Sequence, residues 1–509
     1  MRCDKSLTIE RDPVSLSPTG TPSRRFSGTN LSPALNRKSQ RRSSEMDDAK
    51  TTATRVDRWG YQLRTSSDAC VVAIDAYYNQ VLSYGRNRAI ILDAPANDPA
   101  CVLGNALAAH FLCSKDLPKA SSLLVSAAAA LKNATSYEKA VYEAIILLVG
   151  DGRDEEEALS RHFELVKEYP KDLVSLKRAQ ILCFYMGQPH HSLSLVEKAL
   201  PHNQGQSFIY GMLAFPLLEL GRMAEAKSAA RRGWEINRFD SWSQHCYECH
   251  FNEAVEFMES CSSTWRSCSS FMYTHNWWHV AVCYLEGNAP LCKVLKVYDE
   301  QIWKELQRNY SDRAEVFVNA LGLLLQLDVR GQMDVLKDRL LLAAETLKDK
   351  SLWHVEWLLD ILALWTLARA KESLKAEELL NSIKSRNSFL KKQNVMQRAT
   401  QLAEATYEYG RGNHHKVIDI LGPDFDAIDY KMIGASDEQL DVFNEIWYNV
   451  LLNTGHASKA IDLIEKQLQK RVGCPYLWRL LEKAYGIAGK GDSAMAAEKA
   501  KALEISYFN

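Results

Sequence analysis

Small residues recurring every 34 positions are the strongest constraint on how this 509-residue chain can fold. Ala158, Ser192 and Ala226 share that spacing, as do Ala199 and Gly233. Gly187 and Gly221 share it too, each standing where one amphipathic run ends and the next begins. Near the C-terminus the interval returns in Gly455 and Gly489, and in Ala460 and Ala494. Between these markers the apolar residues follow a 3.6-residue period, the sign of helices with one buried stripe. A small residue in the stripe lets two helices approach closely. A glycine past a helix end takes the left-handed conformation that stops the helix. One such pair leaves a face uncovered, so neighbouring pairs must stack to bury it.

A 34-residue helix–turn–helix with small residues at fixed offsets is the tetratricopeptide pattern. The expected fold class is all-α, an α-solenoid of tetratricopeptide-type helical hairpins. The phase defines units at 139–172, 173–206, 207–240, 441–474 and 475–508, with less regular pairs at 272–308, 311–348, 351–386 and 396–421. Earlier, Ser66-Ser67-Asp68 can cap one helix, Asn97-Asp98-Pro99 begins another running to about Cys113, and Asp116-Leu117-Pro118 begins a third. No convincing strand pairs and no strand–helix alternation are present, which disfavours α/β folds. Trp353, Trp357, Ile361, Leu364 and Ala368 fall at helical spacing and read as core. One irregularity stands out. After 207–240 the next small residue is due near 260, but the matching pair is Glu253-Ala254. The helix starting at Ser241-Trp242 is therefore about six residues short.

Residues 1–56 are of another kind, and the solenoid is expected over 57–509. Positions 1–45 hold nine Ser, four Pro, nine basic and four acidic residues, too little apolar surface to offset chain entropy, so the extension is expected to be disordered. Arg24-Arg25-Phe26-Ser27 and Arg41-Arg42-Ser43-Ser44 resemble basophilic kinase sites, and Asn36 to Arg42 form a weak nuclear address. The expected location is cytoplasmic, with a nuclear one left open by that basic stretch. No run reaches the roughly 18 apolar residues of a membrane span, and no apolar leader opens the chain. The net charge of −1 argues against a dedicated nucleic-acid or membrane-surface binder. Twelve scattered cysteines read as reduced thiols.

Several segments resemble the tetratricopeptide repeat protein 38 family: Trp59-Gly60 with Leu63 to Cys70, Asp240-Ser241-Trp242-Ser243 with His245, and Glu256-Phe257-Met258. Others are His275-Asn276-Trp277-Trp278-His279 and Gly434-Ala435-Ser436 with Asp441-Val442-Phe443. The similarity covers roughly 57–509 and implies a tetratricopeptide-type solenoid with no established catalytic activity. The family normally has a longer helix after His245, with a further histidine one turn on. Here the chain passes directly into Cys246-Tyr247-Glu248-Cys249-His250, in agreement with the deficit found from the repeat phase.

Catalytic signatures such as Gly-x-Ser-x-Gly, His-Glu-x-x-His and the Walker loop are absent. Cys246-x-x-Cys249 with flanking histidines and Cys261 and Cys268 downstream invites a zinc reading, but the spacing matches no standard finger. His275 and His279 stand at i, i+4, and His245 lies one unit back. That trio is either a metal or general-base site or a hydrogen-bonded His–Trp cluster with Trp242, Trp277 and Trp278. No cofactor is expected. In such a superhelix the first helix of each pair lines the concave face, which here places Lys177, Ile181, Phe184, Tyr185, Phe208, Phe215, Leu218, Trp242 and His245 there. A water-facing surface so apolar marks a partner site or is covered by the chain itself. The sixth positions Ala144, Arg178 and Met212 are not the Asn of chaperone-tail clamps. The expected role is a non-catalytic scaffold that binds a protein or peptide through Lys177, Phe184, Tyr185, Phe208, Phe215 and Trp242. The alternative is an uncharacterised enzyme or metal protein built on His245, His275 and His279. Self-association remains open.

Overall fold

The computed structural model describes residues 53–150, 152–246, 251–387 and 393–508. Of the N-terminal extension, positions 1–52, with the kinase-type and basic motifs, lie outside the described residues. The chain forms two compact units, residues 53–77 with 89–153 and residues 78–88 with 154–508.

In the smaller unit, β1 (Arg55–Val56) pairs antiparallel with β2 (Gln62–Leu63), a ribbon that the helical periodicity did not announce. Arg55 and Val56, inside the extension as read from sequence, are therefore paired. Helix α1 (Asp68–Leu82) carries the chain onward, followed by α2 (Asp93–Asn97), α3 (Val102–Leu112), α4 (Leu117–Ala130) and α5 (Ser136–Ile146). The Asp98 carboxylate accepts from Ala100 N, holding that stretch as a turn, so α3 starts at Val102 rather than beside Asn97. Every residue of α3 is buried. Asp116 caps α4 through Lys119 N, and Thr135 with Glu138 forms a reciprocal capping box on α5.

The larger unit is a stack of antiparallel hairpins, the α-solenoid expected of the repeat. Its pairs are α6 (Glu155–Glu168) before α7 (Leu173–Tyr185) and α8 (Pro189–Asn203), then α9 (Phe208–Glu219) and α10 (Met223–Ile236). The short α11 (Ser241–His245) and α12 (Phe251–Cys261) follow, then α13 (Ser270–Glu286) with α14 (Leu291–Val297), and α15 (Arg313–Val329) with α16 (Met333–Leu347). Next come α17 (Trp357–Arg369) with α18 (Ser373–Asn387) and α19 (Gln393–Gly410) with α20 (His414–Leu421). The last two pairs are α21 (Asp437–Asn453) with α22 (Ala457–Lys470), and α23 (Pro475–Ala488) with α24 (Ser493–Phe508). The repeat expected at 139–172 is divided, its first helix α5 in the smaller unit and its second, α6, in the larger.

One rule generates the hairpins. The fourth residue of each second helix is buried: Ala158, Ser192, Ala226, Ala254, Ala376 and Ala460 all obey it, because that position faces the partner helix at closest approach. Gly187 and Gly221 close α7 and α9 with φ of +66° and +72°, a conformation open to glycine at little cost. In the last repeat the rule corrects the sequence reading. Helix α24 begins two residues later than the 34-residue interval predicts, so Ala496 is buried and Ala494 is exposed. Trp353 needs a correction as well. It precedes α17, held by its indole N–H donating to Leu347 O at 2.8 Å, and the helix starts at Trp357 after His354 turns at φ +58°. Trp353, Ile361, Leu364 and Ala368 are nonetheless buried together in one large core.

Helix α11 has five residues, against 13 in α7 and 12 in α9. The lost length falls where the repeat phase placed it. Positions 247–250, with Cys249 and His250 of the zinc reading, lie outside the described residues. No helix of the described residues is long and apolar enough to cross a membrane.

Candidate functional site

The first helices of successive pairs present their apolar stripes to one concavity in the larger unit. Lys177, Phe184 and Tyr185 come from α7, Phe208 and Phe215 from α9, and Trp242 from α11. All six line a single cavity with about 150 Å³ of space accessible to water, continuous with an open mouth. Phe184 packs on Phe215 at a centroid distance of 5.7 Å, and Phe215 packs on Trp242 at 5.1 Å. Such tilted ring pairs add stabilisation beyond area burial. Of the further concave residues read from sequence, Ile181 lines the cavity and His245 lies behind Trp242, stacked on it at 4.7 Å.

Lys177 is placed on the wall but is not an open groove cation. Its ammonium donates to Val81 O at 2.7 Å and sits 3.1 Å from the centre of the Tyr84 ring. Other walls come from segments with no repeat phase to betray them: Tyr84, Phe271, Glu315, Glu356 and the stretch Gly434 to Gln439. The last is a family-resemblance segment, and that was the one signal in the sequence for it.

A strap from the C-terminal half partly roofs the concavity. The turn over Ala427–Ile433 brings Lys431 to Glu219 at the end of α9, 3.0 Å away, and to Asp437. Asp437 N donates to Glu219 Oε1 at 3.3 Å. Gly434, at φ +75°, lies so close to Tyr185 that an added Cβ would stand 2.3 Å from its ring, so only glycine fits. Burial, then the charge of Asp437, pushes the Glu219 carboxyl up to about 7 against the pull of Lys431. The concave face is thus part covered by the chain and part open.

Behind the aromatic wall lies the histidine trio. His275 and His279 project from one face of α13, and His245 reaches them from α11. Ring centroids are 4.9 Å apart for His245 and His275, 4.4 Å for His245 and His279, and 4.8 Å for His275 and His279. Their ring nitrogens include a set lying within 4.8 Å of one another. His275 is sandwiched between Phe271 and Trp278, and its Nδ1 meets Asn319 Oδ1 on α15 at 2.9 Å. Asn319 Nδ2 donates to Thr274 Oγ1 and to Glu315 O, so its oxygen faces His275 and Nδ1 carries the hydrogen. Nε2 of His275 is left with the lone pair. Burial pushes His275 down to about 4. Burial and then the neighbouring imidazoles push His245 and His279 well below the ordinary histidine range. All three are neutral at pH 7, the state in which imidazole ligates a metal.

Among the described residues, Cys246, Cys261 and Cys268 of the zinc reading do not join this cluster. Cys261 and Cys268 are buried, and desolvation raises both thiols, which disfavours the thiolate a metal needs.

No family model matches the chain. Its likeness to solved structures is distant. The human IFIT1 dimer with PPP-AAAA is 12% identical, covers 86% of this chain and 95% of that one, and has a TM-score of 0.39. The P58(IPK) TPR domain is 15% identical, covers 72% of this chain and 93% of that one, and has a TM-score of 0.19.

Proposed function

We infer that this chain is a non-catalytic docking scaffold that seats an apolar or aromatic side chain of a protein or peptide in the concave cavity. One observation carries the reading: rings from three successive first helices, with Phe271 from a fourth, converge on one part-open hollow. A hollow of this kind gives up ordered water cheaply and rewards an apolar anchor, as interface hot spots do. Its polar walls, Glu315 and Glu356 beside a Lys177 already engaged, disfavour an anionic anchor. A phosphate-bearing ligand would meet two carboxylates there. The partial roof suits a short anchor rather than a long extended strand. The reading treats the chain as similar to the tetratricopeptide repeat protein 38 family, whose motif segments at Trp242 to His245 and Gly434 to Ser436 contribute to these walls.

Affinity purification from cells, with the wild type beside a Phe184→Asp/Phe215→Asp variant checked for native circular dichroism, tests it. Partners recovered by the wild type should be lost by the variant, and each should then bind purified wild-type protein directly. Equal recovery by a folded variant contradicts the reading.

A further inference from the structure

We propose that His245, His275 and His279 form a three-histidine site for a divalent late first-row transition ion, of the zinc or cobalt type, adjoining the aromatic cavity through His275. The site is independent of the docking reading and rests on its own geometry. Three imidazoles from two elements converge until ligating atoms lie within 4.8 Å of one another. A tetrahedral ion with bonds of about 2.0–2.1 Å needs its nitrogens roughly 3.3 Å apart. Binding must draw the His245 and His279 rings toward the fixed His275 to close that difference.

The cluster holds a buried imidazole nitrogen that the protein leaves unanswered. His279 Nε2 finds no hydrogen-bond partner, and His245 has only the side chain of the adjacent Asn276. His245 and Asn276 are 8% and 0% exposed. A buried nitrogen without a partner is costly, so its place among two further imidazoles points to a species that all three can ligate. The third histidine is already oriented as a metal ligand would be. Asn319 accepts the Nδ1 hydrogen of His275, fixing the tautomer and presenting Nε2, the arrangement that outer-shell partners impose on ligating histidines. Glu315, one turn before Asn319 on α15, accepts from Phe271 N at 2.6 Å and lines the same cavity. Imidazole ligands suit zinc, copper, iron or nickel rather than the hard cations calcium and magnesium.

Full-length protein stripped with chelator should take up one Co2+ per chain with the intense visible bands of a four-coordinate ion. It should show no sulfur-to-metal charge transfer, and Zn2+ should displace the ion. Folded His245→Ala and His279→Ala should lose the bands. Asn319→Ala should weaken binding by about 10- to 100-fold while keeping the spectrum. The wild-type spectrum decides the matter even where a variant fails to fold. Three results would each overturn the proposal: no stoichiometric uptake by folded wild type, as when a trapped water alone satisfies the nitrogens; thiolate charge transfer; or bands that survive in the folded histidine variants.

Discussion

At the residue scale, burial of neutral histidine is a recurring choice in this chain, and it has a consequence in acid. His162 on α6 is fully buried. Its Nδ1 donates to Ala158 O at 2.6 Å, leaving Nε2 as the lone-pair side facing Arg178 Nη1 at 3.4 Å. Burial, then the positive charge of Arg178, pushes its pKa down to about 3. The unfolded chain binds a proton there near pH 6.5, and the folded chain does not. The stability this neutral form supports is therefore complete above about pH 6.5 and is lost progressively as pH falls toward 3. Between pH 7.5 and 5.5 the loss from this residue alone is about 1.4 kcal/mol. Urea unfolding at pH 7.5 and 5.5 should show His162→Gln losing less stability on acidification than the wild type by about that amount. Identical slopes would contradict it. His162 was invisible as a special residue in the sequence, because nothing in a periodic pattern distinguishes a buried histidine from a surface one. The trio was visible only in part: the i, i+4 pair on α13 was legible from spacing, whereas Asn319, which sets the tautomer of His275, was not.

At the element scale, the helices were legible because the second helices repeat one steric requirement, a buried residue four positions in that is small in most of them. Where the chain keeps the 34-residue interval, sequence alone places that residue, as at Ala158, Ser192, Ala226 and Ala460. Where a turn lengthens, as before α24, counting from the previous repeat misplaces it by two residues, although the helix itself obeys the rule. The same holds for Trp353, whose spacing suited a helix that a left-handed His354 delays. The consequence is measurable. Ala496→Leu should overpack the last hairpin and cost about 1–3 kcal/mol, and Ala494→Leu, two residues away on the exposed side, should be near neutral. Thermal unfolding of the two variants compares them directly, and equal losses would show that the hairpin packs otherwise. The shortened α11 belongs to this scale too. Its five residues still deliver Trp242 to the cavity and His245 to the trio, because both lie in its first turn and a half.

At the scale of the larger unit, stacking turns local stripes into a shared surface. Six residues chosen by repeat position line one cavity, since first helices of successive pairs face the same way. The remaining walls were hidden for a physical reason. Tyr84, Glu356 and Gly434 arrive from segments far apart in sequence, and Lys431 of the strap meets Glu219 across a separation of 212 residues, a pairing with no periodic signature. Repeat phase reports neighbours in the stack and says nothing of how distant parts of the same unit meet. The measurement that bears most directly on the whole account is hydrogen–deuterium exchange on the purified protein with and without a bound partner peptide. The account predicts added protection in α7, α9 and the 427–439 strap, with α8 and α10 unchanged. Protection confined to the second helices, or to the outer surface of the stack, would contradict a concave docking site.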